Sequence, residues 1–277
     1  MILNFDLNRT AYRIELPNVS EKEYVEIESF FRPLINDASI KSRDAISRSF
    51  IFAMQICPQE NPSDLWHHVL YRLYKRHKLG TNPEQSWVRT SGEAFEVALC
   101  EIYNPQLERL GLKIVSLISG DAKKEYLRRT GLRNIGSSKV DLSIEAQNRG
   151  VGIKNGYGVV GGIHAKVSLA ERVSDDIPAS KKMMTRGLIS ILITLDVKSF
   201  PPPHGDLVNR GEFGTIESPS DKRKYVENHG SFDVCFSYNS RTIPSNATTR
   251  SGKKIYTTRF SPDDAFIQFL NTRFDPH

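Results

Sequence analysis

Lys139-Val140-Asp141-Leu142-Ser143-Ile144-Glu145-Ala146 and Ile163-His164-Ala165-Lys166-Val167-Ser168-Leu169 are the stretches that decide the fold. In the first, Val140, Leu142, Ile144 and Ala146 alternate with Asp141, Ser143 and Glu145. In the second, Ile163, Ala165, Val167 and Leu169 alternate with His164, Lys166 and Ser168. Side chains of a strand point alternately to opposite faces, so each stretch reads as a strand with an apolar face and a polar face. If the two strands are neighbours, a carboxylate and an ammonium meet on one surface. Phosphodiester hydrolysis uses such a pair: the carboxylate holds a divalent metal, and the lysine orients water and offsets developing charge. On alternation alone, a solvated sheet face or a structural Asp–Lys pair is the simpler explanation.

Working outward, further strands are read at 112–119, 189–197, 231–238 and 254–258, with helical material near 121–129 and 179–184. The first third reads as helices. Ser20 and Glu23 form a capping box ahead of Tyr24, Ile27 and Phe31. Ile46, Phe50, Ala53, Met54 and Cys57 mark a second helix ending near Pro58, and Leu65, Val69 and Leu73 a third beginning near Ser63. The third ends in Lys75, Arg76, His77 and Lys78, a cluster suited equally to the helix dipole and to a phosphate. A fourth helix is expected from Thr90, with Thr90-Ser91-Gly92-Glu93 as its capping box, and a last one after Ser261-Pro262. Helices followed by mixed strands and helices predict an α/β sheet core with a helical N-terminal subdomain. The expected boundary falls between residues 88 and 89. Loops are expected at 148–158, 199–221 and 240–251. The last of these and the strand after it hold Arg241, Arg250, Lys253 and Lys254, read as solvated or phosphate-contacting.

Composition narrows the classes. The chain has 277 residues, 39% of them hydrophobic, enough for a sizeable core. A net charge of +6 suits a protein that meets a polyanion yet keeps carboxylates for a metal. Cys57, Cys100 and Cys235 are odd in number and far apart, so neither a disulfide framework nor a zinc site follows. The N-terminus lacks an apolar signal core and no run reaches membrane-span length, so a soluble cytoplasmic protein is expected. The glycine-rich stretch 148–158 lacks the spacing of a dinucleotide loop, His67 and His68 are adjacent and point apart, and no serine-hydrolase or zinc-protease motif is present.

Lys166-Val167-Ser168-Leu169-Ala170-Glu171-Arg172 then resembles a signature of type IIP restriction endonucleases that cut CCGG-type sites. In that family a catalytic lysine ends the second strand of a PD-(D/E)xK core, and a short charged element after it reads C:G pairs. Ser91-Gly92-Glu93-Ala94-Phe95-Glu96 resembles the family's Gly-x-x-Phe-Glu helix, and Asp141 its metal-binding aspartate. The resemblance covers about Thr90 to Arg172.

It implies a PD-(D/E)xK restriction-endonuclease-like core over residues 89–277, a mixed sheet flanked by helices, acting on double-stranded DNA with Mg²⁺. Asp141 and Glu96 would bind the metal, Lys166 would activate or orient the water, and Glu93 would cap Thr90. Glu171 would accept from cytosine amino groups and Arg172 would donate to guanine. His164 stands where the common motif has an acid. Relatives often carry that acid on the helix after the lysine, where Ser180 takes its place here. Glu145, Asp175 and Asp176 are further acids in reach, the last two equally a solvated turn before Pro178. Ala170 stands where relatives often have arginine, so a guanine contact is expected from Arg186 or from 148–158. A homodimer or higher oligomer, 5′ overhangs and a cognate DNA methyltransferase complete the expectation. A repair nuclease on the same core would cut without sequence preference. A non-catalytic DNA-binding protein would bind without cutting, and a metabolic α/β protein would not bind duplex DNA.

Overall fold

The computed structural model describes residues 1–7, 10–79, 82–132, 140–170, 173–198 and 208–274. Its centre is a seven-stranded mixed sheet. The strands are β3 (Leu112–Ser116), β4 (Leu142–Gln147), β5 (Val151–Lys154), β6 (Tyr157–Lys166), β7 (Ile189–Thr194), β8 (Val234–Ser237) and β9 (Ile255–Thr257). They lie in the order β3-β4-β6-β7-β8-β9, with β5 pairing the start of β6. The β3/β4 and β4/β6 pairs are antiparallel, and β6 through β9 run parallel. The two strands expected to be neighbours are therefore directly paired, Leu142 opposite Ile163.

Both faces of the sheet are covered, which is why β7 is buried along its whole length. Ile189, Ile191 and Ile193 enter the main core, and Leu192 faces the other way into a second cluster with Phe213, Phe232 and Cys235. The main core is shared with helices α1 (Glu21–Asn36), α2 (Ser42–Ile56) and α5 (Pro83–Leu107), through Phe31, Phe50, Phe95 and Leu99. The opposite face carries α6 (Gly120–Thr130), α7 (Val173–Thr185) and α8 (Asp221–Glu227), before the closing α9 (Ala265–Phe274). Gly162 permits the close approach of α6 and α7. A Cβ there would lie 2.7 Å from Val140 Cγ1, 2.8 Å from Met183 Cε and 2.8 Å from Tyr126 Oη.

The Ser20–Glu23 capping box forms as expected. Other expectations shift. The chain opens not on helix but on an antiparallel hairpin, β1 (Ile2–Leu7) with β2 (Thr10–Glu15). The third helix is continuous from α3 (Pro62–Asp64) through a π-helical segment, Leu65–Leu70, into α4 (Tyr71–His77). Helix α5 starts at Pro83 with Asn82 as N-cap, so Thr90 lies inside it. The boundary expected at 88/89 thus falls within one helix, and the core is continuous across it. Glu93 caps nothing; it pairs with Arg43 of α2 at 2.9 Å. The 148–158 loop contains β5 and turns through Asn155-Gly156, both at positive φ, a two-residue hairpin signal. Helix α8 opens at Asp221, where a loop was expected to end.

Candidate active site

Asp141 precedes β4, and Lys166 ends β6. Backbone pairing sets their meeting: Asp141 N–H donates to Ile163 O at 2.9 Å, one residue ahead of His164. Asp141 Oδ2 then accepts from Ala165 N–H at 2.9 Å and from Lys166 Nζ at 2.8 Å. The carboxylate expected from alternation is thus locked to the strand that carries the lysine.

A second carboxylate reaches the same ammonium. Asp176 Oδ2 stands 3.0 Å from Lys166 Nζ, and its side chain is 4% exposed. Helix α7 begins at Val173, well before the expected 179, so Asp176 sits in its first turn rather than in a solvated turn. Pro178 is accommodated inside that helix. His164, fully buried on β6, places Nδ1 3.7 Å from the same Asp176 oxygen and Nε2 3.1 Å from Ser190 Oγ. The imidazole of His164 on the strand and the carboxylate of Asp176 on the helix therefore meet beside Lys166.

Glu96 approaches from α5, its Oε2 accepting from Ser116 Oγ at 3.2 Å. Burial, and then the negative charge of Asp141, push its carboxyl up to about 8. Lys123, on α6, lies near enough for its charge and those of Asp141, Glu96 and Lys166 to act on one another. Tyr126, one turn on, packs over Val140 and Gly162, which seats that face of α6 against the strand start at Asp141. Burial lowers the Lys123 ammonium below its ordinary value, opposed by Asp141 and Glu96. For Lys166 the balance is reversed. Burial works against its charge, but Asp141 and Asp176 outweigh it and hold the ammonium above the usual lysine value. Asp176 is held low: burial opposes its charge, and His164 and Lys166 overcome that.

Other sequence candidates land elsewhere. Ser180 is fully buried on α7, with its hydroxyl 2.5 Å from Ser190 Oγ and from Ser231 O, whereas Asp176 is the α7 side chain that reaches Lys166. Arg186 Nη1 donates to Thr130 O at 3.0 Å across Gly131, closing the end of α6. Glu145 is tied to Arg129 and lies 3.6 Å from Lys113 Nζ. Arg241 pairs with Asp64 at 2.6 Å and Lys253 with Asp233 at 2.7 Å, so both serve the fold. Glu171 and Arg172 lie outside the described residues. Lys123 was missed because a lone lysine on a surface-patterned helix carries no local signal.

Among the described residues no three acidic, His or Cys side chains already form a closed metal cage. Mg²⁺ does not need one, since it commonly takes one or two carboxylates and keeps water or phosphate oxygens for the rest. Asp141 and Glu96 fit that donor set: two acidic side chains in a partly dry pocket, where the charge of one raises the pKa of the other. No helix among the described residues is long and apolar enough to cross a membrane.

Comparison with known proteins gives this geometry its context. Residues 127–264 match the family described as BsaWI restriction endonuclease type 2. The type II restriction enzyme AgeI of Thalassovita gelatinovora is 60% identical over 274 residues, covering 98% of each chain. The crystal structure of a specific AgeI–DNA complex superposes with a TM-score of 0.94 at 58% identity, covering 99% of each chain. With an α/β restriction-endonuclease fold and lysine and carboxylates gathered where β4 begins and β6 ends, the chain belongs to the family of type II restriction endonucleases, site-specific enzymes that cut DNA.

Proposed function

We propose that this enzyme makes Mg²⁺-dependent double-strand breaks at a CCGG-containing palindrome, as a cytoplasmic homodimer, leaving 5′ overhangs. The observation that carries the chemistry is the ion-pair cluster of Lys166 with Asp141 at 2.8 Å and Asp176 at 3.0 Å, with Glu96 alongside. In this reading Asp141 and Glu96 hold the metal, and Asp176 supplies the acid that His164 displaced from the strand. When bound, Mg²⁺ supplies positive charge at the scissile phosphate. Lys166 stays charged in this pocket, so it orients water and stabilises negative charge rather than abstracting a proton. Lys123, also facing the acids, contacts a phosphate oxygen. Glu171 accepts from cytosine amino groups and Arg172 donates to guanine O6 and N7. A cognate methyltransferase would protect the host's own sites.

The test is direct. Plasmid DNA is incubated with the enzyme and Mg²⁺ and the ends are mapped. Discrete fragments cut at CCGG-containing sites are expected; discrete fragments at unrelated sites would sink the assignment of specificity, and no cutting in any divalent metal would sink the proposed chemistry. Lys166→Ala is expected to bind the mapped site in a gel-shift assay and to leave it intact.

A further inference from the structure

The chain does not come loose after Lys166. Ser168 and Leu169 follow, and both are held by one carboxylate. Glu212 Oε1 accepts from Ser168 Oγ at 2.7 Å and from Leu169 N–H at 2.8 Å. Its Oε2 accepts from Lys222 Nζ of α8 at 2.8 Å. Glu212 is 2% exposed, and a buried carboxylate is costly unless its oxygens are satisfied, as these are.

What aims Glu212 is a second buried acid. Its backbone N–H donates to Asp196 Oδ1 at 2.6 Å, and Asp196 Oδ2 accepts from Thr242 Oγ1 at 2.6 Å. Asp196 is fully buried just beyond β7, at φ +52, where a residue other than glycine stores strain. Gly211, the residue before Glu212, sits at φ +84; a Cβ there would fall 2.4 Å from Asp196 Oδ2. Strained backbone, a glycine-only approach and two buried acids therefore converge on one short segment. That segment leads through Ala170, at φ +22, straight into Glu171 and Arg172. Lys166 needs none of this, because Asp141 and Asp176 fix it separately.

We infer that Glu212 is a positioning residue for base recognition: by gripping Ser168 and Leu169 it sets where the following Glu171 and Arg172 meet the C:G pairs. The inference rests on the proposed reading of Glu171 and Arg172 as base contacts. A grip on the recognition segment alone has a characteristic signature. Discrimination between cognate and altered sites falls, and KM rises, while the saturating cleavage rate suffers less. A purely structural role lowers cleavage of both sites in proportion.

The test uses the full-length enzyme with Mg²⁺, a duplex carrying the mapped site, and the same duplex with one C:G pair replaced. Glu212→Ala and Ser168→Ala are compared with wild type by kcat, KM and melting temperature. The ratio of kcat/KM between the two duplexes is expected to fall by about tenfold to a hundredfold in Glu212→Ala, and by less in Ser168→Ala. Glu212→Gln combined with Lys222→Met keeps an oxygen for Ser168 and Leu169 and removes the facing ammonium, so it should recover most of the ratio. Equal losses on both duplexes, with the ratio intact, would overturn the inference. Should Glu212→Ala not fold, Ser168→Ala and the double variant decide by the same ratio. Arg172→Ala separates the two assignments. If it keeps discrimination, the base-reading assignment fails and the inference with it. If it loses discrimination while Glu212→Ala and Ser168→Ala keep it, only the role of Glu212 fails.

Discussion

Lys166 keeps its charge in a pocket whose dryness opposes charge, because two carboxylates stand within 3.0 Å of its ammonium. Among the described residues Glu96 has no such counter-ion at contact distance, and burial with the charge of Asp141 raises its carboxyl. Its folded value of about 8 lies above the ordinary 4.5, so the metal-free chain binds a proton there between those limits and the unfolded chain does not. The associated stability is present below pH 4.5 and drains away as pH rises toward about 8. In the proposed reading, a divalent cation held by Asp141 and Glu96 would displace that proton. Mg²⁺ binding is therefore expected to strengthen as pH rises to about 8 and to release a proton below it. Calorimetry in buffers of different ionisation enthalpy reads that proton directly. Glu96→Gln should abolish the pH dependence along with most of the affinity, and an unchanged proton count would show that Glu96 is not the group. Lys123→Met is expected to weaken binding to all sequences alike and flatten the salt dependence by about one phosphate contact. Arg172→Ala, in contrast, should cost roughly 1–3 kcal/mol at the cognate site alone.

Helices α6 and α7 carry Lys123 and Asp176 to the site, and both pack against Gly162. A methyl group there meets Tyr126 of α6 and Met183 of α7 at 2.8 Å, and Val140, just ahead of β4, at 2.7 Å. Gly162→Ala is expected to lower stability by about 1–3 kcal/mol through overpacking. It should also slow cleavage, because Asp176 and Lys123 ride on the displaced helices; chemical denaturation with single-turnover cleavage measures both. At the end of α6, Arg186→Ala should cost stability through the lost Thr130 contact and leave base discrimination unchanged. Altered discrimination would restore the DNA contact expected from sequence. Elements account for what the sequence disclosed. Asp141 and Lys166 were legible because a period of two places them on one face, and backbone pairing at Leu142 and Ile163 then brings them together. Asp176 was visible only as an alternative. Pro178 suggested a break, whereas the helix begins five residues earlier and carries the acid inward. Thr90 offered a capping pattern that Asn82-Pro83 pre-empted upstream. The hairpin of β5 was signalled by Asn155-Gly156 but hidden among glycines. Lys123 and Glu212 are joined to the site only by tertiary packing, which no local pattern encodes.

At the scale of the whole molecule, one chain presents one Lys166 cluster, while a double-strand break requires two hydrolyses on strands of opposite polarity. A palindrome relates those strands by a two-fold axis, and two identical chains about the same axis place one cluster at each. This yields a prediction independent of any measured oligomeric state. When wild type is mixed with excess Lys166→Ala chain, most active assemblies on DNA pair one competent cluster with one inert cluster. Supercoiled plasmid bearing a single site should then pass to the nicked circle and accumulate there, because the inert chain holds the second strand without cutting it. Wild type alone should carry the same plasmid on to the linear form. If the mixture gave linear product at a rate simply diluted by the inert chain, a single protomer would be making both cuts, and the two-fold arrangement would be wrong. Raising the salt weakens the phosphate contacts of both chains together, so it should slow binding in the mixture and in wild type alike while leaving the nicked-to-linear partition of bound complexes unchanged. That separation ties the nicking to the pairing of clusters rather than to weaker occupancy of the site.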